Sequence, residues 1–142
     1  MSRGEKTGKF RSKLEHRVSE QLDKLDVKYE YENKEYKIDY TVPATKRSYL
    51  PDFILQHPAG ETIYIEVKGI WDYQDRYKHL LIKQQHPDLD IRFVFQRAGQ
   101  RIRRSSKTTY RDICEGSGKG VWKGQTWRYS DKGIIPKEWL QD

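Results

Sequence analysis

The clearest periodic signal in the chain runs from Thr62 to Lys68, where apolar Ile63, Ile65 and Val67 alternate with Tyr64, Glu66 and Lys68. Such alternation predicts a half-buried strand with Glu66 and Lys68 on one face, about 7 Å apart. Upstream, Tyr49 to Gln56 reads as a second strand in which Asp52 shares a face with Leu50 and Ile54. His57-Pro58-Ala59-Gly60 supplies the turn residues of a hairpin between the two. Nearer the N-terminus, Leu14, Val18, Leu22 and Leu25 recur at helical spacing from Ser12 onward. After Asp26 the tyrosine-rich runs Val27/Tyr29/Tyr31 and Tyr36/Ile38/Tyr40 alternate as two strands around an Asn33-Lys34 turn, and Thr41 to Arg47, with Pro43, reads as an extended connector rather than a central strand. Trp71 to Gln85 predicts a helix with Tyr77, Leu80 and Leu81 inward and Arg76, Lys78 and Lys83 solvated or meeting phosphate. Ile91 to Phe95 is almost continuously apolar, as a strand buried on both faces would be. Thr108 caps a short helix to Glu115, and Pro136 opens a last turn with Trp139 and Leu140 facing in. The order predicts an α/β fold, a mixed sheet flanked by helices, in a single domain over residues 1–142.

The hairpin carries the candidate chemistry, because it can converge Asp52, Glu66 and Lys68. Two carboxylates offer hard oxygens to a hard divalent cation that keeps positions open for water and phosphate. A lysine beside them can orient the attacking water or offset charge building on phosphorus. The acid-x-lysine spacing alone is weak, since Asp26/Lys28, Glu32/Lys34 and Glu35/Lys37 repeat it. What distinguishes Glu66/Lys68 is the β-branched run before it, Gly69 after it, and Pro51-Asp52 upstream at hairpin distance. Glu15 lies beside the first helix's apolar stripe, where it is a candidate ligand or the far half of a capping box with Ser12.

Composition points to the substrate. The chain of 142 residues carries a formal charge of +7, which predicts a polyanionic partner and equally fits a ribosomal or membrane-surface protein. Arg3, Lys6 and Lys9 lie in a polar arm over residues 1–9, followed by Arg11, while Lys46 and Arg47 end the connector. Gln96 to Lys107 is the most basic stretch, with Arg97, Arg101, Arg103, Arg104 and Lys107 among serine and glycine, either a loop that grips a phosphate backbone without reading sequence or a solvated loop. Trp122 and Trp127, in the glycine-rich stretch 116–133, either stack on exposed bases or cover a core edge. One cysteine, Cys114, excludes an intramolecular disulfide and a Cys-rich zinc site, and the four histidines show no paired ligand spacing. No apolar stretch approaches the ~20 residues of a membrane span and no signal-peptide core follows Met1, so the chain is read as soluble and cytosolic, with no small-molecule substrate. Only 35% of the residues are apolar, many of them tyrosine and tryptophan, and dimerisation is one way to enlarge so thin a core.

Taken together, Phe10-Arg11-Ser12-x-Leu14-Glu15, Tyr49-x-Pro51-Asp52-Phe53, Glu66-x-Lys68-Gly69-x-Trp71 and the run from Lys78 to Arg92 resemble the phage-encoded endonuclease I family, whose members from T7-like phages resolve Holliday junctions. The similarity covers roughly Phe10 to Phe95 and resumes at Tyr110, Cys114 and Ile135-Pro136-x-Glu138-Trp139. It implies a restriction-endonuclease-like core in an intertwined, domain-swapped homodimer, exchanged across a connector at residues 41–47. It also implies catalytic roles for Glu15, Asp52, Glu66 and Lys68, and Mg²⁺, with Mn²⁺ as a substitute, at two ions per site. The ligands would be Asp52, Glu66 and the Val67 carbonyl, with Glu15 as a further candidate supplied by the partner chain. The expected activity is nicking of opposing strands of branched DNA, above all a four-way junction, in the cytoplasm of a bacterial host. The chain departs from the family pattern in a longer loop between Asp52 and Glu66 and an expanded 116–133 segment. Two other readings stay open: a nicking or mismatch-repair endonuclease on the same fold, and a non-catalytic DNA-binding module.

Overall fold

The computed structural model describes residues 9–42 and 45–140. Arg3 and Lys6 of the expected arm, and Pro43 of the expected connector, lie outside them.

Helix α1 spans Lys13–Lys24. It starts where the Ser12 hydroxyl accepts the Glu15 amide, and it buries Leu14, Val18 and Leu22 as the heptad-like stripe requires. Strand β1 (Tyr29–Tyr31) follows, then β2 (Ile38–Val42), β3 (Thr45–Tyr49), β4 (Phe53–Gln56) and β5 (Thr62–Lys68). Helix α2 (Tyr73–Gln85) crosses over to β6 (Asp90–Phe95). Helix α3 (Tyr110–Cys114) and the short strands β7 (Glu115–Ser117), β8 (Lys123–Thr126) and β9 (Arg128–Ser130) complete the main elements. The principal sheet has the order β1-β4-β5-β6-β9. Its β1/β4 and β4/β5 pairs are antiparallel, and its β5/β6 and β6/β9 pairs are parallel. This is the expected mixed α/β sheet flanked by helices.

Burial follows the alternation that Thr62 to Lys68 displays. Ile63, Ile65 and Val67 pack with Phe53, Leu55 and the α1 stripe, closed by Ile135, Trp139 and Leu140. On the opposite side Trp71, Phe93, Phe95, Tyr110 and Trp127 form an aromatic core. Trp122 and Trp127 are each only 8% exposed, which assigns them to the core edge rather than to base stacking.

Several boundaries differ from the sequence reading. The strand expected from Tyr49 to Gln56 is broken at Leu50-Pro51-Asp52, because Pro51 has no amide to donate to a ladder. Asp52 therefore sits in a bend before β4 instead of on a continuous strand face. Tyr36 belongs to a 3₁₀ turn capped by Asn33, and the two tyrosine-rich strands pair with β4 and β3 instead of with each other. Thr41, Val42 and Thr45 to Arg47, expected as a connector, are the ends of β2 and β3, paired antiparallel with Val42 opposite Thr45. The Gln85 side-chain amide adds a strand-like clamp, accepting from the Thr41 amide and donating to its carbonyl, each at 2.7 Å. Helix α3 is capped by Thr109 rather than Thr108, since only Thr109 places an acid, Asp112, three residues on to complete a capping box.

Candidate active site

The C-terminal end of β5, the bend before β4, the first turn of α1 and the first turns of α2 meet around a polar cleft of about 330 Å³. Glu15, Asp52, Glu66, Val67 and Lys68 all line it. Each is placed by a local feature. The parallel β5/β6 pairing carries Glu66 and Lys68 out beside Phe93 and Phe95. Pro51 ends one strand just before Asp52, whose Oδ2 then accepts the Val67 amide at 2.8 Å. The Val67 amide thus fixes the carboxylate that its own carbonyl was expected to assist.

Glu15 resolves its open choice in an unforeseen way. Its amide is capped by Ser12, but its carboxylate takes the Arg11 amide at 3.2 Å, not the Ser12 amide, and also accepts the Tyr31 hydroxyl. That orientation brings it beside Asp52. Oxygens of Glu15, Glu32 and Asp52 lie within 4.8 Å of one another. Glu32 had looked like one of three coincidental acid-x-lysine pairs. Its position comes from sheet register: Tyr31 pairs with Phe53, and the next residue along, Glu32, donates its amide to the Asp52 carbonyl at 3.1 Å. Arg11 balances Glu32 at 3.2 Å, with its own side chain 75% exposed.

Glu66 lies on the other side of Asp52 and is engaged by the chain itself. Tyr49 donates its hydroxyl to Oε1 at 2.7 Å, and the Lys68 ammonium meets Oε2 at 2.9 Å. Lys68 is shared with Asp75 of α2 at 2.5 Å, and Lys78 pairs with the other Asp75 oxygen at 3.2 Å. Neither Tyr49 nor Asp75 had a signal in the acid-x-lysine pattern. Asp75 could have been found as an acid in the first turn of the crossover helix following β5, where a parallel strand–helix unit aims side chains at the strand's C-terminal end.

The electrostatics are those of a site short of positive charge. Burial pushes the Asp52 carboxyl well above the ordinary carboxylate range, and the charges of Glu66 and Glu15 add to it against the Val67 amide and Lys68. Burial pulls the Lys68 ammonium down, but Glu66 and Asp75 outweigh it and leave it raised, so Lys68 is a fixed cation. Burial also raises Tyr49, which stays a neutral donor to Glu66. Beneath them His79 is wholly enclosed, edge-on to Tyr49 and Phe93, and burial together with Lys68 and Lys78 keeps it neutral.

Removing the Asp75 charge tests the Lys68 arrangement. Asp75→Asn is expected to slow strand cleavage about tenfold and to move the alkaline limit of the pH–rate profile to lower pH. With one carboxylate gone, burial favours the neutral amine. An unchanged alkaline limit would mean Glu66 alone holds the ammonium.

The expected DNA contacts divide. Lys46 and Arg47 are exposed on β3, and Arg97, Arg101, Arg103, Arg104 and Lys107 are exposed on the loop after β6. Lys9 lies over the rings of Phe10 and Tyr31, and Lys78 is half-buried at the cleft. Arg76 is not solvated as one reading expected: it is only 3% exposed and donates to the Trp71 carbonyl at 2.6 Å, because its helix face turns toward the aromatic core.

The whole chain, residues 1–142, matches the family described as phage endonuclease I. It is 44% identical over 137 residues to endonuclease I of Escherichia phage T7, covering 96% of this chain and 82% of that protein. It is 47% identical over 109 residues to endodeoxyribonuclease 1 of Enterobacteria phage T3, covering 77% of this chain and 68% of that protein. The match over all 142 residues, with two relatives at 44% and 47% identity, places the protein in the phage endonuclease I family.

Proposed function

We propose that the protein is a metal-dependent endodeoxyribonuclease that resolves four-way DNA junctions, acting in the cytoplasm of a bacterial host as a homodimer that nicks opposing strands. The observation that carries the reading is the group of Glu15, Glu32 and Asp52 oxygens within 4.8 Å, beside the Lys68–Glu66 pair. This donor set is all carboxylate, which suits Mg²⁺ or Mn²⁺ and not a soft metal. Asp52, Glu66, the Val67 carbonyl and Glu15, with Glu32 beside them, are the residues that would hold two ions. Such ions supply Lewis-acid polarisation of the phosphate and a more acidic bound water.

The chain's own groups do the rest. Lys68, held as a cation by Glu66 and Asp75, sits where it can orient an attacking water and offset charge on the phosphoryl oxygens. Tyr49 keeps Glu66 aimed at the cleft, and the Val67 amide does the same for Asp52. The exposed cations of β3 and of the loop 97–107 would hold the backbones of branched DNA by shape and charge. A synthetic four-way junction should be nicked with magnesium and left intact with chelator, while a linear duplex of the same sequence is cut far more slowly. Equal cutting of the two would sink junction selectivity, and no cutting of either would sink the nuclease reading.

The exchanged dimer belongs to the same proposal. In the chain described, Glu15 meets Asp52 within one chain. Exchange across residues 41–47 would reproduce the same contacts between two chains, with Glu15 supplied in trans. Refolding Glu15→Ala chains together with Lys68→Ala chains should then restore one intact site per mixed dimer. If the mixture nicks no better than its components, Glu15 acts within its own chain.

A further inference from the structure

A second cavity, of about 650 Å³, adjoins the start of α2 through Tyr73 and Arg76. Arg76, Arg103, Lys107 and Lys119 line it together with two serines, and among the described residues no carboxylate does. Arg103, Lys107 and Lys119 are exposed. Arg76 is not. It is only 3% exposed, it forms no ion pair among the described residues, and its Nε has no hydrogen-bond partner. Its compensation is one carbonyl, that of Trp71, and the faces of Tyr73 and Trp122 at 5.9 and 6.0 Å. Asp72 is felt at Arg76, but one of its oxygens caps the helix through the Asp75 amide. Enclosing a guanidinium without a counter-ion is costly, and three more cations beside it raise that cost. Evolution toward a stable core alone would place an acid or an apolar side chain there. An anion entering the cavity would supply the counter-charge that Arg76 lacks.

The cavity's place in the fold says which anion. Asp75 and Arg76 are consecutive on α2, so their side chains diverge by about 100° around the helix. Asp75 pairs with Lys68 in the catalytic cleft, and Arg76 lines the cavity. Tyr73, 59% exposed at the cavity and stacked on Tyr77 at 6.2 Å, presents a ring that a sugar or base can cover. We propose that this cavity is a phosphate site for the DNA strand that runs into the catalytic cleft, with Arg76 at its base, Arg103, Lys107 and Lys119 around its mouth, and Tyr73 against the adjoining nucleoside. The proposal rests on the nuclease reading for the identity of the strand.

The test reads the site directly. The Arg76 Nε–H resonance of the wild-type protein is followed by ¹H–¹⁵N NMR during titration with a 5′-phosphorylated thymidine dinucleotide, with inorganic phosphate, and with chloride at matched ionic strength. The dinucleotide should move it saturably, and the Tyr73 ring signals with it. Arg103→Ala combined with Lys119→Ala, two exposed changes that spare the fold, should weaken that binding at least about tenfold. A response to inorganic phosphate but not to the dinucleotide would overturn the DNA assignment in favour of a free-phosphate site. An equal response to chloride, or no response, would overturn the site itself. Junction cleavage by the same sample separates the two proposals: cleavage with a silent Arg76 sinks only the cavity, and a saturable response without cleavage sinks only the nuclease reading.

Discussion

Asp52→Asn is expected to lower magnesium-dependent nicking of a four-way junction by on the order of 10³, and in the same protein to raise the thermal midpoint measured without metal. Both effects follow from one placement. Asp52 is buried beside Glu15, Glu32 and Glu66, with Lys68 already committed to Glu66 and Asp75. Its carboxyl is pushed well above its ordinary value, first by burial and then by Glu66 and Glu15. A carboxyl raised in the folded state contributes stability that is fully present below its unfolded pKa and is lost as pH rises through its folded pKa. At neutral pH the metal-free protein therefore carries a penalty at this position. Asparagine keeps an oxygen for the Val67 amide and removes the charge that burial and the neighbouring carboxylates oppose, so the midpoint should rise. The advantage should shrink as pH falls toward the carboxylate range, because protonated aspartic acid is then as neutral as asparagine. Differential scanning calorimetry of both proteins in chelator at several pH values checks this. A lower midpoint for Asp52→Asn at neutral pH would show that the carboxylate is already paired.

Trp71→Ala carries the largest expected loss of stability, about 3–5 kcal/mol against a total of about 5–15 kcal/mol for a domain. Trp71 is fully buried, with ring centroids of Phe93, Phe95, Trp127 and Tyr110 at 4.8, 5.4, 5.7 and 6.0 Å. Its backbone amide donates to the Tyr110 hydroxyl, and its carbonyl takes Arg76. It also stands between Lys68 and α2, so loosening it frees Asp75 from Lys68. Urea unfolding should show a large fall in midpoint with an unchanged slope, and junction nicking by the fraction that remains folded should fall as well. Trp71→Phe should recover most of both. A cost below about 1 kcal/mol would mean that the aromatic core closes over the gap.

The strand Thr62–Lys68 was legible to the residue because alternation, a β-branched run and a terminal glycine all agree there. The α1 stripe was equally legible, since Leu14, Val18 and Leu22 satisfy helical spacing behind a capping serine. The break at Pro51 was written in the sequence too, but a continuous apolar pattern from Tyr49 to Gln56 masked it. Periodicity reports which face is buried and is silent about where a ladder stops. Thr109 was missed by one position for a related reason: the cap is chosen by the acid three residues later, not by the first threonine.

The residues that the pattern could not supply are those whose roles depend on partners far along the chain. Glu32 becomes part of the acidic group through the pairing of β1 with β4, and strand pairing across about twenty residues leaves no local trace. Asp75 reaches Lys68 because a crossover helix begins beside the end of β5, and Tyr49 reaches Glu66 across seventeen positions. Arg76 looked solvated on a helix of mixed polarity, and only the packing of Trp71 and Trp122 turned it inward.

What the sequence determined by itself was the sheet's central strands, the first helix, and the meeting of Asp52, Glu66 and Lys68 at one hairpin, because alternation, capping and residue type act over a few positions. Tertiary structure alone decided which acids share that cleft, how Lys68 is held between two of them, and where an unpaired arginine lies. Register and packing bring groups together through space, and the free energy that fixes them belongs to the whole fold rather than to any segment of it.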